Sequence, residues 1–94
     1  MGRETVLFRS EEKMSSNDAA NLLTLLAEKV RKGKVRLEKG QKKLKVDIPS
    51  QVEVEVKAEK EVGRKKTTMK IEVEIEWVLG EKGGRAAAGP LTIG

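Results

Sequence analysis

The chain has no cysteine, no histidine and no tyrosine, and its aromatic content is 2%, made up of Phe8 and Trp77. Without cysteine there is neither a disulfide framework nor a thiolate metal site. Without histidine the side chain that titrates nearest neutral pH is missing, so general acid–base chemistry falls to carboxylates shifted by burial. With so few aromatics, recognition of single strands by stacking bases on rings is excluded as a main mode. No apolar run approaches the ~18 residues of a membrane span. The first residues lack the apolar core of a secretory signal, and the expected location is cytoplasmic, with no membrane partner.

Charge is abundant: 37% of the 94 residues are charged, and the net charge is +5. So high a fraction can mark a chain that stays unfolded. The apolar residues, however, are spent on periodic faces. From Met69 to Leu79 they alternate strictly with polar ones: Met69, Ile71, Val73, Ile75, Trp77 and Leu79 fall on one side of a strand, Lys70, Glu72, Glu74 and Glu76 on the other. Leu44, Val46 and Ile48 repeat the pattern, as do Val52, Val54, Val56 and Ala58. One-sided alternation of this kind predicts an antiparallel sheet, dry on one face and charged on the other.

Between these strands and the N-terminus, Ala19, Leu22, Leu23, Leu26 and Val30 follow the spacing of one helix stripe. The spacing predicts a helix from about Ser16 to Lys32. Ser15 or Ser16 supplies the N-cap, Lys29, Arg31 and Lys32 complement the dipole in the last turn, and Gly33 supplies the left-handed C-terminal stop. Thr5–Arg9 reads as a first short strand. Lys34–Glu38 and Lys43–Ile48 read as a hairpin about Gly40, with Val35 opposite Val46 and Leu37 opposite Leu44. Pro49 turns the chain, Val52–Glu59 forms the next strand, and Thr67–Leu79 the last. Pairing Val54 with Val73 and Val56 with Ile71 sets Glu53 opposite Glu74 and Glu55 opposite Glu72, a repulsion to be relieved by nearby lysines such as Lys45, by an intervening basic strand or by a partner's basic patch.

The expected fold is therefore α+β: one helix on one face of a mostly antiparallel five-stranded sheet, order β-α-β-β-β-β, in two layers. Trp77 is expected to close the end of the core. Residues 1–79 form the single domain expected, and 80–94 a flexible C-terminal tail.

A first strand, a Ser-capped Leu/Ala helix ending in Gly33, a Lys-rich hairpin, Ile48-Pro49 and amphipathic strands running into Trp77 together resemble the amphi-Trp domain family. The resemblance spans Thr5 to Trp77. That family consists of small uncharacterised prokaryotic proteins, so the resemblance implies a fold and assigns no activity or site residue.

The residues give no catalytic or metal site and call for no cofactor. The serines lack a histidine partner, and Gly80-Glu81-Lys82-Gly83-Gly84 follows a strand without opening a helix, unlike a phosphate loop. The stronger lead is the distribution of charge. From Lys29 to Lys45 nine basic residues stand against the single acid Glu38. Neutralising phosphates with such a cluster drives sequence-independent binding of nucleic acid or another polyanion. The candidate contacts are Lys29, Arg31, Lys32, Lys34, Arg36, Lys43 and Lys45, and Arg64-Lys65-Lys66 is a further basic turn. The alternative is a protein-interaction or homodimerisation module using a sheet edge or the charged sheet face.

Overall fold

The computed structural model describes residues 2–80 and 91–94. The described elements are α1 (Ser16–Lys32), β1 (Lys34–Lys39), β2 (Lys42–Asp47), β3 (Glu53–Val62) and β4 (Thr67–Glu76). The chain divides into two compact units, Met1–Ile48 and Pro49–Gly94.

In the first unit the sequence dictates both ends of α1. The Ser15 side chain accepts a hydrogen bond from the Asp18 backbone N–H at 3.0 Å, which satisfies one of the orphan donors of the first turn. At the other end Gly33 adopts φ 79° and ψ 15°, and its N–H donates to the Lys29 and Val30 carbonyls. Only glycine enters this left-handed region without a steric penalty. The chain then turns directly into β1, which pairs antiparallel with β2. Val35 faces Val46 and Leu37 faces Leu44, as the alternation predicts. Gly40 (φ 61°) leads the two-residue turn, and no non-glycine residue has positive φ among those described. Glycine first and an ordinary φ second is the sign pattern of a type II′ hairpin turn.

Helix α1 packs on β1, and Val35, 7% exposed, is the one buried apolar residue among those described. Leu37, Leu44, Val46, Ala19 and Val30 around it are half-buried. Leu22, Leu23 and Leu26 remain exposed, so the apolar stripe of α1 is only partly covered. A two-stranded ribbon with six-residue strands is too narrow to roof five turns of helix.

In the second unit β3 pairs antiparallel with β4 from Glu53↔Glu76 to Val62↔Thr67. The turn between them is closed by the Gly63 N–H donating to the Lys66 carbonyl at 2.8 Å. A Cβ on Gly63 would stand 2.9 Å from that same oxygen, so the turn requires glycine there.

Three expectations are corrected. There is no five-stranded sheet: the described residues hold four strands in two two-stranded sheets, β1-β2 and β3-β4. Thr5–Arg9 forms no strand; Val6 and Leu7 are exposed, and the run is tethered by polar contacts beside it. Strand-prone residues adopt a strand only where an edge receives them. The β3–β4 register is displaced by two residues, with Val54 opposite Ile75 and Val56 opposite Val73. A two-residue displacement keeps every side chain on its expected face, so the alternation cannot detect it.

Strand β4 also stops at Glu76 rather than Leu79, leaving Trp77 half-buried just past its end. The ladder stops there because its partner β3 begins only at Glu53, after Pro49 has turned the chain. Most of the tail, 81–90, lies outside the described residues; 91–94 carry no regular structure.

Candidate polyanion-binding surface

The alternation that turns Val35, Leu37, Leu44 and Val46 to one face of the β1–β2 hairpin turns Lys34, Arg36, Glu38, Lys43, Lys45 and Asp47 to the other. The register sets Lys34 opposite Asp47, Arg36 opposite Lys45 and Glu38 opposite Lys43. Four of the seven candidate cations thus share one sheet face, and two of them, Arg36 and Lys45, stand directly across from each other. Directly opposed like charges destabilise a sheet. Opposite-charge pairs flank them on both sides.

The remaining three candidates sit in the last turn of α1. At about 100° per residue, Lys29 and Lys32 share one flank of the helix and Arg31 lies on the other. Arg31 is paired with Glu28, one turn before it, at 2.6 Å. The helix end is fixed against the hairpin by the Ile48 N–H, which donates to the Gly33 carbonyl at 2.9 Å. This bond ties the exit of β2 to the exit of α1 and holds Lys32 and Lys34 on either side of Gly33 next to the open end of the hairpin. All seven cations are exposed, and among the described residues Arg31 alone of them is held in an ion pair.

Alternation also places Lys39 and Lys42, a cross-strand pair at the hairpin tip, on the face of Val35 and Leu37. There they line an open groove of about 280 Å³ with Val6, Leu7, Phe8 and Arg9. Lys39 Nζ donates to Ser10 Oγ at 3.3 Å, and Arg9 pairs with Glu11 at 3.4 Å. Sequence reasoning counted Lys39 and Lys42 among the basic residues but missed this grouping. The signal was their parity with Val35 and Val46, together with the N-terminal segment not being a strand. Ser10 with Lys39 is not a nucleophile with its base. Such a pair relies on a desolvated lysine, whereas here both residues stand in solvent.

The β3–β4 hairpin carries the opposite charge. Its polar face opposes Glu53 to Glu76 and Glu55 to Glu74, then Lys57 to Glu72 and Glu59 to Lys70. Relief comes from lysines within the hairpin. Lys70 Nζ lies 3.2 Å from Glu72 and 3.6 Å from Glu59. Its hydrogen bond to Glu72, then the charges of Glu72 and Glu59, raise the lysine above its usual range. The same bond and the charges of Lys70 and Lys57 hold Glu72 below the usual carboxylate range. At the other end no cation stands opposite. Hydrogen bonding with Glu53 and that residue's like charge, with smaller effects from burial, Glu74 and Glu55, push Glu76 upward. Among the described residues no group of three or more carboxylates is arranged to hold a metal ion, and no helix is long and apolar enough to cross a membrane.

A capped helix on a basic antiparallel hairpin, followed by a second, acidic hairpin that runs into a tryptophan, defines a small α+β domain with strongly segregated charge. The chain belongs to the Amphi-Trp domain family, whose sequence profile matches residues 1–94. The match takes in the tail as well as the Thr5–Trp77 stretch that carries the resemblance. No curated protein and no solved structure matches the chain.

Proposed function

We propose that the domain is a non-enzymatic binding module that takes up a nucleic acid or another polyanion on the polar face of β1–β2 and the adjoining end of α1. One observation carries this reading: Arg36 and Lys45 oppose each other on an exposed sheet face, with Lys34 and Lys43 diagonal to them and no internal ion pair among the four. A fold that keeps two cations directly opposed, neither of them in an ion pair with the flanking Glu38 or Asp47, leaves that repulsion to be relieved from outside, and phosphate oxygens are the complementary group. Lys29 and Lys32 extend the positive surface past Gly33. With no stacking ring on this face, contacts fall on the backbone of the ligand and binding is indifferent to base sequence.

The test is binding of a mixed-sequence DNA or RNA duplex to the full chain, followed by fluorescence anisotropy at low salt. Arg36→Glu with Lys45→Glu is expected to weaken binding by on the order of tenfold or more. Arg64→Glu with Lys65→Glu changes the net charge equally, in the β3–β4 turn, and is expected to leave most of the affinity in place. Equal losses from the two double variants would mean that net charge, not this face, attracts the ligand, and the reading would fail.

A further inference from the structure

Among the described residues strand β4 pairs with β3 on one side only, so its other edge offers unpaired backbone groups. Which residues present them follows from the turn. The Gly63 N–H to Lys66 carbonyl bond makes that pair a hydrogen-bonded one, and hydrogen-bonded pairs alternate along an antiparallel ladder. Counting along the register, Thr68, Lys70, Glu72, Glu74 and Glu76 bond to β3, while Thr67, Met69, Ile71, Val73 and Ile75 turn their N–H and C=O outward. The side chains of Met69 and Ile71 are 71% and 77% exposed, and Val73 is exposed as well.

We propose that this edge is a self-recognition surface, through which two copies of the chain join about a two-fold axis at Ile71 into a four-stranded β3-β4-β4′-β3′ sheet. The occupant follows from charge complementarity. Centred on Ile71, an antiparallel β4–β4′ pair sets Ile71 against Ile71, Met69 against Val73 and Thr67 against Ile75, all through outward backbone groups. It also sets Lys70 of each copy against Glu72 of the other, giving two reciprocal opposite-charge pairs and no like-charge pair. Neighbouring registers lack this match: centring on Glu72 opposes the two Glu72 carboxylates, on Val73 opposes Glu72 to Glu74, and on Lys70 opposes the two lysines. Centring on Met69 leaves only Thr67–Ile71 paired.

The β3 edge cannot do the same. Any two-fold register from Glu55 to Lys60 opposes like charges: Glu53 meets Glu59, Glu55 meets Glu61 or Glu59, Glu59 meets Glu61, or a glutamate meets its own copy. In addition Lys60, opposite Met69, places a charge on the apolar side of the strand, a device that discourages edge pairing. One edge is thus protected and the other self-complementary. A two-fold contact through the second closes on itself and ends the assembly at a dimer.

Because the chain has no native cysteine, single cysteines report the register directly. At the axis the two copies of residue 71 lie about 5.5 Å apart between Cα atoms, within disulfide reach. The two copies of residue 67 are separated by eight strand positions, roughly 26 Å, beyond it. Full-length Ile71→Cys and Thr67→Cys are oxidised with diamide and run on non-reducing gels, with sedimentation equilibrium of the unmodified chain alongside. The expected result is a concentration-dependent dimer of the unmodified chain and at least about tenfold more cross-linked dimer from Ile71→Cys than from Thr67→Cys. A monomer at all concentrations up to about 0.5 mM, far weaker than any specific interface needs, would overturn the proposal. Comparable cross-linking of the two variants would do so as well. Should the cysteine variants fail to fold by circular dichroism, the sedimentation result alone decides.

Discussion

Ser15 and Gly33 show how much a single residue decides here. Ser15→Ala removes the acceptor for the Asp18 N–H, and we expect a loss of about 1 kcal/mol of unfolding free energy in urea titrations followed by helix ellipticity. Gly33→Ala adds a Cβ to a residue at φ 79°, and that carbon would sit 3.3 Å from the Ile48 carbonyl. The left-handed penalty alone predicts a destabilisation of about 1 kcal/mol. If Gly33→Ala were as stable as the parent, the C-cap would not have the conformation described. Both residues were legible in the sequence, because capping is settled within a few positions.

Carboxylates in the middle and at the open end of the β3–β4 hairpin are expected to shift in opposite directions. Glu72, held low by Lys70 and Lys57, favours the fold above the usual carboxylate range and loses that contribution as pH falls through its depressed pKa. Lys70, held high by Glu72 and Glu59, contributes below the usual lysine range and loses its contribution as pH rises through its raised pKa. Glu76, raised mainly by Glu53, works the other way: its repulsion opposes the fold above the carboxylate range and is relieved as pH falls through the raised pKa. Glu53→Gln is accordingly expected to lower the Glu76 midpoint toward the ordinary value in an NMR titration of side-chain carboxyl carbons. A midpoint that does not move would remove Glu53 as its cause.

At the scale of elements, legibility followed the distance over which each element is specified. Helix α1 appears within the bounds its caps predicted, Ser16–Lys32. The β1–β2 register was readable because a two-residue turn leaves one way to align Val35 with Val46. The β3–β4 turn allows two alignments with the same faces, with the loop at Gly63-Arg64 or at Arg64-Lys65, and the chain takes the second, in which Lys57 meets Glu72 rather than Glu55 meeting Glu72. Thr5–Arg9 shows the limit of propensity: Thr-Val-Leu-Phe is strand-prone, yet no described edge receives it. The Gly63–Lys66 connection makes its own prediction. Gly63→Ala puts a Cβ 2.9 Å from the Lys66 carbonyl, so the closing bond must shift, and the variant is expected to unfold at lower urea concentration than the parent.

For the whole molecule, the candidate surface was legible as a run of charge and only partly as a surface. Lys34, Arg36, Lys43 and Lys45 share a face because their spacing matches the strand period, which the sequence displays. That Lys39 and Lys42 leave this face follows from the same strand parity, whereas the pairing of Arg31 with Glu28 depends on rotation about the helix, and the groove beside Phe8 on the path of the N-terminal segment. The five-stranded sheet failed for a related reason: alternation states which side of a strand is dry but not which strands lie side by side. What survives at this scale is the segregation of charge, basic from Lys29 to Lys45 and acidic along the polar face of β3–β4.

That segregation carries the functional reading, and its most direct test is the salt dependence of duplex binding by the unmodified chain. If Lys29, Lys32, Lys34, Arg36, Lys43 and Lys45 engage phosphates, a plot of the logarithm of the association constant against that of salt concentration should be linear, with a slope of about −5, or about −0.9 for each phosphate engaged. A slope near zero, or no binding at low salt, would contradict the account.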